Sequence, residues 1–399
     1  MKRVLLRAGD LLVGIPLALL SMWPIRLRRK IAGPRDRGPA LARGVVSILF
    51  LLVYYVVVFE LVARGVQLAR NKPTTPPWRY VDDSFLYERH AFRGFGMIPN
   101  AQVRKGVAGF SRDDFRILVN EHGCRGPALD PPGSGRPRVL CFGGSVTFGT
   151  GVDHDAAWPA RLAALAPEWS VMNCGVSGYM SAHILAFLQG ALFDLEPDLV
   201  IVYTGRNDMH MNESFQGAAF QSDYQHAHGN DRRPTGLSRW FIHNTFLGCT
   251  VARWNQSVRN ALGRTMRRRG APVADMGPRG RAAFRRNIDD LLALAKRRDI
   301  PVLLASEAPG YEPLTLADGS RNPHLDHLAK DAAGCPPAVY TRGLEAYGDT
   351  LRATGAPYVD TARELRRDPW LYVDSIHLSR AGAQEVAKML LPAARKLIR

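Results

Sequence analysis

From Arg138 onward, short apolar runs alternate with longer amphipathic stretches, and this rhythm restricts the fold more than any other feature of the chain. Candidate strands are 139–142, 170–173, 198–204, 301–305 and 357–359; candidate helices are 156–166, 181–192, 281–296, 341–354 and 379–397. The strand runs are apolar almost throughout, the pattern of strands buried on both faces. Strands separated by helical patterns imply parallel pairing, because a parallel neighbour needs a long crossover. The expected fold class is therefore α/β: a three-layer, doubly wound sandwich with a five-stranded parallel sheet in flavodoxin-like order.

Other segments attach to this domain. Residues 71–80, "NKPTTPPWRY", read as a proline-rich stalk, and residues 81–130 as a small β-rich lead-in of short apolar runs broken by Gly, Asn and Asp. "PPGSGRP", 131–137, is the linker. The expected organisation is a membrane-anchoring region at 1–70, stalk and lead-in at 71–137, and the main domain at 138–399. Between the third strand and third helix lies an arginine-rich insertion, 209–280, long enough to be a lid or a substrate surface.

Four polar clusters follow candidate strands: "GGSVTFG" after the first, "NCGVSGY" after the second, "GRND" after the third and "VDSIHLS" after the fifth. In a parallel sheet these loops converge on the carboxyl edge, so residues distant in sequence can meet. A serine hydroxyl is a weak nucleophile until a base accepts its proton. His377 can supply that base for Ser145, and Asp374 can accept the imidazole Nδ1–H, fixing the tautomer. A tetrahedral intermediate needs donors for its oxyanion, and the backbone N–H groups of Ser145 and Gly178 with the Asn207 side-chain amide provide three. Each is worth about 3–4 kcal/mol of activation energy. Each cluster alone has a plain reading: a turn serine, a strand-end Asn-Asp turn, a helix-capping loop. Their joint occurrence in order favours the site.

The four blocks "GGSVTFG", "GVSGY", "GRND" and "DSIH" resemble those of the SGNH (or GDSL) hydrolases, over roughly 138–399 apart from the insertion. The resemblance implies a serine esterase with nucleophile Ser145, oxyanion donors Gly178 and Asn207, and the Asp374–His377 pair. One departure stands out: the family's first block reads Gly-Asp-Ser, and Gly144 replaces the Asp. Tyr179 and Met209 flank the site and are expected to shape a substrate pocket, whereas Asp208 reads as structural.

"GVVSILFLLVYYVVVFELVARG" is apolar from Val45 to Phe59 apart from Ser47, and the expected span is about 45–63. An earlier apolar run, 11–25, carries Pro16 and Pro24 and reads as a short span or an interfacial segment. No small-x-small cleavage site follows it, which argues against a signal peptide. Arg26, Arg28, Arg29, Lys30, Arg35, Arg37 and Arg43 precede the main span. The positive-inside rule then puts that loop in the cytoplasm and the main body on the extracytoplasmic, periplasmic side of the inner membrane.

The formal charge of +17 is unevenly placed. Residues 1–80 hold 14 Lys/Arg against 3 Asp/Glu, and residues 231–300 hold 16 against 5. These clusters fit the membrane bilayer and an anionic surface better than nucleic acid, since no basic stripe is interleaved with aromatics. The 5 cysteines have no CxxC spacing, and a single disulfide is possible outside the cytosol. His210, His226, His228 and His243 lack metal-ligand spacing, so neither metal nor cofactor is expected. The expected function is a membrane-anchored ester hydrolase acting on an acylated glycan, glycolipid or lipid. An O-acyltransferase with the same triad and a non-catalytic binding protein are the alternatives.

Overall fold

The computed structural model describes residues 40–69, 86–105, 115–214, 236–248, 278–331 and 335–398, with residues 250, 251, 254 and 258. The apolar run 11–25, the stalk 71–80, His226, His228, Cys249 and the arginines at 267–269 lie outside the described residues. Two compact units are present, one holding residues up to 81 together with 237–257, the other holding 82–236 and 258–399.

The first unit is built on helix α1 (Ala40–Ala69). Among the described residues its stretch Ile48–Ala69 is the one helix long and apolar enough to cross a membrane. Its 22 residues rise about 33 Å, the thickness of a hydrocarbon layer. Ile48, Leu52, Val53, Leu61 and Leu68 are all exposed among the described residues. The expected insertion does not stay with the main domain throughout, because part of it folds against this helix. The lone acid of the apolar stretch, Glu60, accepts the Leu247 N–H at 2.7 Å through Oε1. One turn later Arg64 donates to the Asn244 carbonyl at 2.8 Å.

In the second unit, strands β1 (Tyr87–His90) and β2 (Gly94–Met97) form one antiparallel pair, and β3 (Gln102–Lys105) and β4 (Phe115–Leu118) form another. These are the expected β-rich lead-in. The parallel sheet follows with β5 (Arg138–Gly143), β6 (Ser170–Asn173), β7 (Leu199–Tyr203), β8 (Val302–Ala305) and β9 (Tyr358–Val359). Its order is β6-β5-β7-β8-β9, the expected flavodoxin-like arrangement, with every pair parallel. The main helices are α2 (Ser145–Phe148), α3 (Trp158–Leu165), α4 (Ser181–Asp194), α5 (Arg206–Ser214), α6 (Pro278–Lys296), α7 (Pro337–Arg352) and α8 (Arg380–Arg395).

Alternation of side chains along the strands feeds two separate cores. Val139, Cys141, Ile201 and Leu303 pack with Trp158 and Leu162 of α3 and Val386 and Leu390 of α8. Leu140, Phe142, Val200, Val202 and Leu304 point the other way, toward Ile184 of α4, Phe284 and Ile288 of α6 and Leu344 of α7. Each such side chain contributes roughly 1.5–3 kcal/mol by leaving water. That accounts for apolar strand runs with no polar alternation. Tyr87, Met97, Phe115 and Ile117 of the lead-in belong to this second core, so the lead-in shares the hydrophobic interior of the sheet.

One buried cation joins the lead-in to the sheet. Arg125 is 1% exposed, and its backbone bridges to Asn173 at the end of β6. Its guanidinium donates to the carbonyls of Phe148 at 2.5 Å, Gly149 at 2.7 Å and Val152 at 2.6 Å, in the turn that follows α2. The ring of Phe148 lies 4.5 Å from the guanidinium carbon. Burial pushes the Arg125 pKa down to about 10, which still leaves it charged at neutral pH. Arg125→Met would take the buried charge-assisted donor away from these carbonyls, and we expect a loss of about 3–5 kcal/mol in urea unfolding. Arg125→Lys should recover only a minor part, since one ammonium cannot reach every acceptor.

Candidate active site

Ser145 opens α2 directly after β5, at the carboxyl edge of the sheet. Asn173 at the end of β6 steadies this short helix, its amide donating to the Thr147 carbonyl at 2.8 Å. The loop after β6 is tied to the nucleophile turn by Val176 N–H donating to the Gly143 carbonyl at 3.1 Å. Thr150 and Ser177 hydroxyls meet at 3.2 Å across the same seam. Asn207, in the first turn of α5, donates through Nδ2 to the Tyr179 carbonyl at 2.9 Å.

These bonds bring the first three blocks together at one place, and the fourth closes the site. His377 Nε2 lies 2.8 Å from Ser145 Oγ, and His377 Nδ1 lies 2.5 Å from Asp374 Oδ2. The other oxygen of Asp374 accepts the backbone N–H groups of Ile376 and His377, each at 2.8 Å. The carboxylate is 2% exposed. Burial opposes its ionised form, but the His377 charge and hydrogen bond, with His327 beyond, hold it well below the usual carboxylate range. A carboxylate fixed in this way holds the imidazole with Nδ1 protonated and Nε2 turned as acceptor toward Ser145. The geometry is that of a nucleophile, a base and an orienting acid in line.

The glycine in place of the family's aspartate has a steric reason. A Cβ on Gly144 would stand 2.5 Å from Asn207 Nδ2 and 3.3 Å from the Tyr179 carbonyl. Gly178 has φ of +86°, a conformation that side chains disfavour, and nothing but a Phe95 ring atom at 3.9 Å lies near its missing Cβ. It leaves the backbone of the second loop open.

Asp208 is structural, as expected: its buried carboxylate accepts the Ser181 N–H at 3.0 Å and the Ser181 hydroxyl at 2.5 Å. Tyr179 and Met209 depart from expectation. Both are 0% exposed and belong to the core, so they offer substrate no surface. The Tyr179 ring stacks on His183 at 4.8 Å, and its hydroxyl donates to the Phe95 carbonyl at 2.5 Å. Proximity in sequence to site residues does not decide which way a side chain turns, and here both turn inward.

Two residues beside the triad were not anticipated. Glu307 follows β8, the one strand whose loop carried no recognisable block, yet topology sends that loop to the same edge. It is 5% exposed and accepts the Arg206 N–H at 2.7 Å. Burial raises its pKa to about 7, against the opposing pull of Arg206 and His377. His327 bonds through Nδ1 to the Ser375 hydroxyl at 2.7 Å and stands 3.9 Å from Asp374 Oδ1. Burial lowers its pKa, with Asp374 working the other way. Its sequence context, "HLDHLAK", gives no signal of that position.

The sequence model of the GDSL-like lipase/acylhydrolase family matches residues 141–385. The chain belongs to that family. Its members hydrolyse esters through a serine, and this chain is a serine hydrolase of that type. Among solved structures it is similar to a carbohydrate acetylesterase family member from Sinorhizobium meliloti, at 17% identity and a TM-score of 0.38, covering 66% of this chain and 99% of that one. A GDSL-like lipase from Bacteroides thetaiotaomicron is 16% identical with a TM-score of 0.36, covering 67% and 92%. An aryl esterase from M. smegmatis is 17% identical with a TM-score of 0.38, covering 65% and 99%. No curated protein matches the chain.

Two outcomes are expected of this site. Gly144→Asp, which restores the family's usual residue, should lower ester hydrolysis by about 10²–10³-fold by displacing Asn207. Rates on short-chain aryl esters, with a melting curve as a folding control, would show it. For Glu307, the folded protein keeps a proton that the unfolded chain loses between its ordinary 4.5 and about 7. Its contribution to stability therefore falls as pH rises through that window. Glu307→Gln should flatten the drop in Tm between pH 5 and pH 8, and an unchanged slope would assign that drop to other groups.

Proposed function

We propose that this chain is a membrane-anchored, extracytoplasmic serine esterase whose substrate is an acylated envelope glycan, glycolipid or lipid. The observation that carries the catalytic part is the unbroken line from Asp374 through His377 to Ser145, at 2.5 and 2.8 Å. Ser145 Oγ attacks the ester carbonyl as His377 Nε2 takes its proton. The Ser145 and Gly178 backbone N–H groups and Asn207 Nδ2 then receive the oxyanion. His377 returns the proton to the departing alcohol, leaving an acyl group on Ser145. Water, deprotonated by the same imidazole, releases the acid and restores the serine.

Location rests on the first unit. An apolar helix that no protein covers is stable where lipid covers it. The segment that folds back onto it turns Leu237, Trp240, Val251 and Trp254 outward, between 51% and 86% exposed. Tryptophans beside a span suit the headgroup layer, and basic residues nearby suit anionic lipid. The excess of Lys/Arg before the helix argues for a cytoplasmic start and a body on the far side. Tethering there favours acyl groups on envelope polymers or lipids over small soluble esters.

The full chain in detergent, assayed on p-nitrophenyl acetate and butyrate, tests the chemistry. Ser145→Ala and His377→Ala should each lose at least about 10³-fold in kcat, and Ser145→Ala should no longer label with a fluorophosphonate. A folded wild-type protein that neither turns over nor labels would mean a binding protein. Acyl transfer to an added sugar, faster than release of free acid, would make it an O-acyltransferase.

A further inference from the structure

Outside the triad, two thiols of the second unit stand out. Cys124 lies in the lead-in and Cys174 directly after β6, and their Sγ atoms are 3.4 Å apart with both side chains fully buried. Their backbones are in register. Arg125 faces Asn173 in an antiparallel bridge, with Arg125 N–H donating to the Asn173 carbonyl at 2.9 Å. The next residues along the two segments, Cys124 and Cys174, therefore stand opposite each other. Facing residues of an antiparallel pair have Cα atoms about 4.5–5.5 Å apart, inside the range that a disulfide spans. Asn120 fixes the Cys124 side of the pair, its Oδ1 accepting the Cys124 N–H at 3.0 Å.

The other described cysteines sit elsewhere. Cys141 is on the neighbouring strand but packs in the opposite core, against Trp158 and Leu162. Cys335 precedes α7, with its Sγ toward the Pro336 carbonyl.

We propose that Cys124 and Cys174 are a disulfide site, which staples the lead-in to the loop carrying Gly178. The oxidant is a disulfide-bearing thiol oxidase of the extracytoplasmic compartment, so this part rests on the location proposed above. One thiol loses its proton and attacks the oxidant's disulfide, giving a mixed disulfide and one reduced oxidant thiol. The second thiolate then displaces the remaining oxidant sulfur. The sum is two protons released from the pair, one S–S bond formed, and the oxidant reduced to a dithiol. Burial raises the Cys174 thiol well above its ordinary range, so exchange belongs to folding, before the lead-in closes over the pair.

The bond would close a loop of 50 residues. It would also brace the segment Gly175–Tyr179 from below, next to the Asn173 side chain that steadies α2. The lead-in then acts as a clamp on the oxyanion loop, held covalently at Cys124 and by the Arg125–Asn173 backbone bridge beside it.

The test uses full-length protein. Membranes are prepared with an alkylating agent present, and the denatured protein is digested without reductant. A cross-linked peptide pair containing Cys124 and Cys174, with only the other three of the 5 thiols alkylated, is expected. Cys124→Ser should free Cys174 for alkylation, and Cys174→Ser should free Cys124. Each should lower Tm by roughly 5–10 °C while ester hydrolysis at room temperature stays intact. In parallel, reduced purified protein is equilibrated with oxidised glutathione and a disulfide isomerase. A pair that is reduced in membranes but cross-links in this buffer upholds the site and counts against the extracytoplasmic location. All thiols alkylatable in both arms, or a cross-link to another cysteine, overturns the proposal.

Discussion

Asn207 can stand beside the nucleophile because no side chain projects from the backbone at Gly144. The end of β5, the loop after β6 and the start of α5 meet there within a few ångströms, and a Cβ would sit at 2.5 Å from Asn207 Nδ2. From that contact the rest of the site follows in order. The amide of Asn207 is held by the Tyr179 carbonyl, Tyr179 is held by the lead-in through Phe95, and the loop between them leaves the Gly178 backbone open.

The lead-in accordingly braces the turn that carries Ser145. Arg125 gathers the carbonyls of Phe148, Gly149 and Val152, at the end of the four-residue α2 and in the turn after it. A guanidinium suits this task better than an ammonium, because its planar fork donates in several directions at once. Burial of a charge is costly in isolation, but several carbonyl dipoles and the face of Phe148 replace much of the lost hydration. The nucleophile turn is therefore anchored from outside the parallel sheet, by a segment that precedes it in sequence.

The sheet was legible because its signal is local. Continuous apolar runs such as "LVIVY" at β7 can be satisfied only where both faces are covered, so strand positions and order emerged with ends shifted by a residue or two. The triad was legible because three roles demand particular residue types at strand ends. What escaped depends on direction, which a sequence does not carry. Tyr179 and Met209 sit one or two positions from site residues, yet their side chains leave for the core. Glu307 and His327 reach the site from segments with no motif, although the first follows β8, whose end shares the edge of the other parallel strands. Arg125 looked like one cation among 53 Lys/Arg, and nothing in "GCRG" marks it as buried.

The same limit applies to Glu60. As a sequence feature it is a blemish in an apolar stretch, costly to place in hydrocarbon without a partner. In the folded chain its carboxylate takes the Leu247 N–H and lies 3.6 Å from Arg64 one turn on. The acid, the base and the returning segment thus satisfy one another at the end of the helix that carries the most exposed apolar surface. A polar knot of this kind has little to offer a helix that only needs to be greasy. It has a clear use if residues around 237–254 must stay against α1, because a backbone N–H is caught there by the Glu60 carboxylate and a carbonyl by the Arg64 guanidinium. This part of the insertion accordingly belongs to the unit built on α1, although in sequence it lies between two strands of the sheet.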